Sequence, residues 1–565
     1  MSSTPGPRTP MSSNPEPRKD MSIFHSTAPP LIPPPDDVTV PQFLLDNNRR
    51  HPTRPDRPLG VPYLVDGETG REVHHDEIVM QTDHFARALR HVWGIVAEDK
   101  TFFPGKGDVD YPIAVWAAHR LGAIIAMMSP TLTTPELVYQ LQTARPSLLI
   151  AHAGNLANAL DATSATGLAH THVLVLDAHK LTEPFPLSYT SVDAAIGHGA
   201  ACPRVPELQF ASDEAKRTIA VLCFSSGTTG KPKAVAVSHY NVICNLVQIA
   251  TSNGLADSRT PPLERRWRPG DRGLAGANQC CRCIGTSNNI GSRIYSAPLT
   301  AELTAQMLGI LPDIHLGQAY GLTETCAGVT MQLPQFPIDK KVGTLGSAGR
   351  LLSGTTARVV KSDGGLAGVG EPGELWVKGE QVTMGYYRNE RATRESFIDG
   401  YAVDSFLRIT TSNRAALNHR WFRTGDEVVI HANGDIFITD RIKELIKVKG
   451  HQVAPAELEG HLLGHPHVAD AGVVGLPDEF AGELPLAFVA LQPDIAAAVR
   501  RDPSAAENIR SSIAQHVSEA KAPYKWLAGG IEFVEAIPKN ASGKILRRVL
   551  RERARTLPRS LPARL

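Results

Sequence analysis

Apolar and polar positions recur along this chain in two rhythms, one of helices and one of strands. In "DVDYPIAVWAAHRLGAI" (Asp108–Ile124), Ile113, Trp116, Ala117, Leu121 and Ile124 fall on one helical face, with Asp110 as N-cap and Pro112 in the first turn. "TTPELVYQL" starts a second helix, capped by Thr134 with Pro135 at its first position. The apolar runs "SLLIAH" (Ser147–His152) and "HVLVLDA" (His172–Ala178) read as short buried strands. "IAVLCF" (Ile219–Phe224) and "AVAV" (Ala234–Val237) read the same way, and Ser238 then caps a helix through Val242, Leu246 and Ile249. Strands alternating with helices place the fold in the α/β class.

Residues 1–35 follow neither rhythm. They are rich in Pro and Ser and repeat "MSSTPGPR" as "MSSNPEPR", a composition that cannot bury enough apolar surface to offset chain entropy. Disorder is expected there, with the globular part beginning near Val38, and the segment lacks the apolar core of a secretory leader. At 565 residues the chain has room for three or four domain-sized units. Lys and Arg (58) balance Asp and Glu (57), so no net field draws the chain to nucleic acid or a membrane surface. Apolar runs such as Leu121–Met128 are too short to span a bilayer, so no integral membrane segment is expected. The 7 cysteines show no paired framework and suit a reducing compartment; "CCRC" (Cys280–Cys283) lacks the partners of a metal site. The final Ala563-Arg564-Leu565 follows the small–basic–leucine pattern of peroxisomal import signals, which predicts a cytoplasmic or peroxisomal protein.

Candidate chemistry sits in polar stretches between these elements. "SSGTTGKPK" places Ser225, Ser226, Gly227, Thr228, Thr229, Gly230, Lys231 and Lys233 between two strands. Glycine N–H groups, hydroxyls and two ammoniums at that density can wrap phosphates. The common G-x-x-x-x-G-K-[ST] loop opens a helix, whereas here Pro232 and a strand follow the lysine. A Gly/Ser/Thr turn in a surface hairpin is the alternative, and composition alone leaves both open. "GQAYGLTE" (Gly317–Glu324) presents Thr323 and Glu324, the latter a fitting Mg²⁺ partner beside a phosphate loop. In "RWFRTGDEVVI", Asp426 is expected in an exposed Gly turn, able to accept hydrogen bonds from ribose hydroxyls or merely to form the turn. Arg441, Lys443, Lys447 and Lys449 concentrate positive charge, or a solvated face, and Lys544 sits in a Gly turn before a basic helix.

Taken together, "SSGTTGKPK", "YGLTE", "RTGD", "DRIKELIKVKG-Q-VAPAELE" and "SGKILRR" resemble, in content and order, the adenylate-forming acyl-CoA synthetases, with "DVDYPIAVWAAHRLGA" closest to the 4-coumarate–CoA ligase branch. The resemblance implies a large N-terminal ATP- and acyl-substrate domain of mixed sheets and helices (36–440) and a small mobile α+β C-terminal domain (441–565). It implies an ATP-dependent acid–CoA ligase that uses Mg²⁺ and coenzyme A and makes an acyl-adenylate, then a thioester. An aromatic acid such as a cinnamate or benzoate is the first expectation. A fatty acyl-CoA ligase and a nucleotide-binding pseudoenzyme are the alternatives. The loop would cradle the β- and γ-phosphates, and Thr323 would contact phosphate. Glu324 would hold the metal, and Lys544 would bridge carboxylate and α-phosphate. Asp426 and Arg441 would hold the ribose, with Gln318, Ala319, Tyr320 and Gln452 as further contacts. Rotation about Asp440–Lys443 would bring Lys447, Lys449 and Gly450 to the thioester-forming face.

Two stretches depart from that pattern. Arg272–Tyr295 is several tens of residues short of the family and lacks the strand and helix that line the acyl pocket, so irregular structure is expected there. Residues 401–420 are an insertion before "WFRTGD", expected to bulge from the surface.

Overall fold

The computed structural model describes residues 23–46, 51–53, 60–66, 69–104, 109–128, 132–178, 189–225, 232–254, 309, 318–332, 344–399, 420–442, 444–449, 451–478, 480–539 and 545–557. Expectations for Ser226–Lys231, Arg272–Tyr295, 401–419, Lys443, Gly450, Lys544 and the last three residues lie outside that set.

The first sheet is built on parallel strands β1 (Lys100–Pro104), β2 (Ile124–Met128), β3 (Leu148–His152), β4 (Val173–Leu176) and β5 (Ile219–Ser225). In space they run β5-β2-β1-β3-β4, and Thr190–Ser191 closes the far edge. Strand β6 (Lys233–Ser238) returns antiparallel to β5, and β7 (Gly385–Tyr386) pairs antiparallel with β6. Both faces are covered. Ile125, Leu148, Ile150 and Leu174 pack on one side with Ala114, Ala117 and Ala118 of α1 (Asp110–Arg120). The alternate residues Ile124, Leu149, Ala151 and Val173 pack on the other with Leu137 and Leu141 of α2 (Thr134–Ala144). Because side chains alternate across a strand, burial on both faces yields the unbroken apolar runs seen in the sequence.

The element boundaries differ from expectation in detail. Helix α1 is preceded by Val109 at the N-cap position, and Asp110 lies inside its first turn, buried and bonded by Arg71 Nη1 at 3.3 Å. Ile124 belongs to β2 rather than to the helix, which ends at Arg120. Thr133, not Thr134, caps α2; the Glu136 carboxylate accepts from its N–H at 2.9 Å and its hydroxyl at 2.8 Å. Ser238 does cap α3 (His239–Ser252), accepting from the Asn241 N–H at 3.1 Å. The buried face of α3, however, is Tyr240, Ile243, Cys244 and Val247, and Leu246 points outward.

Order also begins earlier than Val38. Ile23–His25 pairs antiparallel with Thr356–Val360, and Leu31 packs against the cluster of Val38, Phe43 and Ile243. The disorder expected through residue 35 is therefore corrected for the described residues from Ile23 onward. Those residues close one edge of a second sheet, whose order continues through Pro372–Lys378 and β8 (Arg420–Ile430) to Phe397–Asp399, with β9 (Ile436–Arg441) also on β8. Arg420, expected within the insertion, is the first residue of β8 and stands opposite Asp399.

Beyond β9 the apolar residues form new clusters. β10 (Ile446–Val448), His451–Val453, Val468–Asp478, Gly482–Leu491 and Gly530–Val534 make a five-stranded sheet. It carries α4 (Pro455–Leu462), α5 (Ala505–Ala520) and α6 (Arg547–Thr556). Leu458, Leu462, Ile513 and Val517 fill one side and Phe488, Ile537 and Leu550 the other. Among the described residues no helix is long and apolar enough to cross a membrane.

Candidate active site

The phosphate-loop candidate starts and ends on a fixed stem. Ser225 of β5 and Lys233 of β6 face each other in the ladder, so the intervening residues join strand to strand as expected. Tyr139 of α2 donates to the Pro232 carbonyl at 3.1 Å, pinning the stem from the side. The buried Ser225 Oγ has no hydrogen-bond partner among the described residues. An unmet hydroxyl at the mouth of such a loop fits a ligand oxygen arriving there.

Against β5 and β6 packs the short turn Thr323–Thr325. It is held by a tight reversal in which Cys326 (φ 50) and Ala327 (φ 88) both adopt left-handed backbone. Gly321 is required by that reversal, because a Cβ there would lie 1.3 Å from the Ala327 carbonyl oxygen. The turn places Thr323, half-buried, and Glu324, buried, beside the loop stem. Glu324 Oε1 accepts from the Tyr386 hydroxyl at 2.9 Å, and its backbone carbonyl accepts from the Thr383 N–H at 3.0 Å. Burial first, and then the Glu324 charge, push the Tyr386 phenol far above its ordinary range, so it remains a donor. The Lys233 ammonium lies over the same ring, 4.8 Å from its centroid.

A second pair extends the site away from the loop. Ala319–Tyr320 forms a strand on Thr330–Met331, and Gln318 is fixed by its carbonyl accepting from the Gln332 N–H at 2.8 Å. The Tyr320 hydroxyl donates to Asp426 Oδ2 at 2.6 Å. Asp426 is not in an exposed turn. It lies inside β8, 4% exposed, where Gly425 (φ 72) permits a bulge against Pro372–Lys378. Asp426 and Arg441 are direct cross-strand neighbours, which unites the two residues expected at the ribose; the Arg441 side chain is outside the described set.

The remaining candidates sit on the C-terminal sheet. Lys447, in β10 between buried Ile446 and Val448, and Lys449, just past its end, are both exposed. The Lys447 N–H donates to Glu483 Oε2 at 2.8 Å, and the Lys449 N–H donates to the Ala481 carbonyl at 2.7 Å. Neither ammonium forms an ion pair among the described residues. Gln452 is the cross-strand partner of Lys447. Lys544 falls between Lys539 and Ile545, which bridge each other. Motif reading assigned no role to three residues that the structure ties in: Tyr139, Tyr386 and Arg547. Arg547, nearly buried, bonds Glu444 at 2.8 Å and Glu459 at 2.7 Å. The doubled aromatic after Gly385 in "MGYY" was the one local signal for Tyr386.

A profile of the family described as AMP-binding enzyme matches residues 51–267 and 288–387, and one described as AMP-binding enzyme C-terminal domain matches 457–544. The unmatched 268–287 overlaps Arg272–Tyr295, the stretch expected to depart from the family. Acyl-CoA ligase AFT1-1 of Alternaria alternata is 30% identical over 607 positions, covering 93% of this chain and 96% of that protein. An alignment longer than the 565 residues of this chain contains segments that the chain lacks. 4-coumarate–CoA ligase-like 9 of Oryza sativa subsp. japonica is 30% identical over 588 positions, covering 94% and 95%. In fold, the chain is similar to an anthranilate CoA ligase in complex with anthranoyl-AMP, with TM-score 0.68 and 21% identity over 92% of this chain and 98% of that one.

Proposed function

Because the chain belongs to the AMP-binding enzyme family, we propose that it joins a carboxylic acid to coenzyme A at the expense of ATP. The acid's carboxylate oxygen attacks the α-phosphorus, and pyrophosphate leaves. The CoA thiol, losing its proton, then attacks the acyl carbon, and AMP leaves. The observation that carries this reading is the convergence of three separate stretches: the Ser225–Lys233 stem, the Thr323–Glu324 turn, and the Tyr320–Asp426 pair.

Each group has work that suits its chemistry. Loop N–H groups and Lys231 and Lys233 would hold the β- and γ-phosphates, with the unmet Ser225 hydroxyl at the entrance. Thr323 would contact the phosphate chain. Negative charge grows on the α-phosphate oxygens during attack, and Lys544 would meet it as a fixed cation. Asp426, held by Tyr320, would accept from ribose hydroxyls together with Arg441. Glu324 is the carboxylate fitted to a divalent cation, which supplies neutralisation of the phosphate charge when bound. Relatives in rice and Arabidopsis thaliana named 4-coumarate–CoA ligase-like support an aromatic acid as substrate. For the second step, rotation about Asp440–Lys443 would carry Lys447, Lys449 and Gly450 to the thioester-forming face.

The test is exchange of labelled pyrophosphate into ATP. Exchange is expected only when a suitable acid is added. Absence of exchange in folded protein across a broad panel of aryl and aliphatic acids overturns the ligase reading. Nucleotide binding without exchange would identify a pseudoenzyme.

A further inference from the structure

The hydrogen bonds of the candidate site converge on Tyr386. Its strand, β7, pairs with β6, and Tyr386 stands opposite Val235, two residues along β6 from Lys233. The phenol O–H donates to Glu324 Oε1 at 2.9 Å, while the ring face lies under Lys233 Nζ at 4.8 Å. We infer that Tyr386 is a positioning residue for adenylation, holding the Glu324 carboxylate and the Lys233 ammonium apart at a set spacing. This rests on the ligase reading above.

The physical case is one of two opposite charges kept from quenching each other. Glu324 and Lys233 flank one site yet form no direct ion pair. Tyrosine can separate them because its edge carries a donor for the carboxylate and its face carries negative potential for the cation. Both charges then stay available to the nucleotide, one toward the phosphates and one toward the metal side. The tyrosine itself is rigidly seated. Its N–H donates to Thr393 Oγ1 at 2.9 Å. Its ring meets Phe397 edge-on at 5.8 Å. It packs against the core of the first sheet and that of the second at once, so the spacing is referenced to both.

Tyr386→Phe keeps the ring and the Lys233 contact and removes only the donor to Glu324. Binding of a non-hydrolysable ATP analogue to the full chain, measured calorimetrically with Mg²⁺ and with EDTA, reads the effect without turnover. We expect Y386F to weaken Mg²⁺-nucleotide binding about tenfold, as for a lost hydrogen bond to a charged group. Metal-free binding should change little, and excess Mg²⁺ should restore part of the loss. Added to Glu324→Gln, Y386F should weaken binding no further, because it acts through that carboxylate. Conversion of a supplied acyl-adenylate to thioester should be unaffected. Should Y386F fold poorly, Thr393→Val, which removes the acceptor of the Tyr386 N–H, is expected to give the same Mg²⁺-selective loss, at about threefold. Binding within twofold of the parent, equal losses with and without Mg²⁺, or full additivity with E324Q would each overturn the inference. A parent chain that binds no Mg²⁺-nucleotide would instead overturn the ligase reading.

Discussion

His119 and His239 meet edge to face, 4.9 Å apart, behind the strands that carry the loop stem. His119 Nε2–H donates to the Ala220 carbonyl at 3.0 Å, and His239 Nδ1 accepts from the Val40 N–H at 3.2 Å. Their other ring nitrogens are buried without partners among the described residues. Burial pushes His119 down to about 4 and holds His239 well below the ordinary 6.5, with His119 as a smaller cause for the latter. The unfolded chain takes up these protons near 6.5 and the folded chain resists them, so their contribution to stability is complete above that pH. For His119 it is lost as pH falls from 6.5 toward 4, at up to about 1.4 kcal/mol per pH unit. His119→Gln keeps a donor for Ala220 and should flatten the acid side of the urea-midpoint curve by one proton. An unchanged slope would show that His119 does not supply that linkage. Residue identity and residue environment were not equally legible at this scale. Asp426 was recognisable from its motif, yet its burial depends on a bulge between strands some fifty residues apart. Tyr386 was missed because its partners arrive through sheet pairing, which no local pattern records.

At the scale of elements, strands β3 to β6 were legible because burial on both faces writes them as continuous apolar runs. Two of the three helix caps slipped by one residue: adjacent threonines offer equivalent starts, and Asp110 is drawn into the first turn by its bond to Arg71. The insertion shows how local geometry decides tolerance. Ile398 and Trp421 are cross-strand partners, and Asp399 and Gly400 precede the inserted stretch. Deleting 401–420 would leave Asp-Gly as the whole loop between that pair, the sequence favoured in two-residue hairpin turns. The shortened chain is therefore expected to fold with an equal or higher melting temperature, because closing a shorter loop costs less entropy. It gives up the Arg420 bond to the Met384 carbonyl, a loss of about 1 kcal/mol. A melting temperature lowered by more than about 10 °C would show that the insertion holds the second sheet together.

For the whole molecule, the proposed function asks one small sheet to serve two chemical steps. Arg547 opens α6 just after the segment containing Lys544, and its ion pairs reach Glu444, two residues before β10, and Glu459 of α4. Breaking such a nearly buried pair leaves a charge uncompensated, so the three elements are bound into one frame. The strand that carries Lys447 is thus tied to the helix that follows Lys544 in the chain, and Lys449 is fixed further by its backbone bond to Ala481. On the proposed mechanism, a frame that presents different lysines in sequence would turn as a unit. That arrangement predicts a division of labour between substitutions. Lys544→Ala should slow acid-dependent pyrophosphate exchange by about a hundredfold or more, the scale of losing one preorganised charge-stabilising group. It should leave thioester formation from supplied acyl-adenylate within a few fold of the parent. Lys449→Ala should show the reverse bias, sparing exchange and slowing thioester formation. Equal slowing of both half-reactions by both substitutions would mean that a single orientation serves the entire reaction.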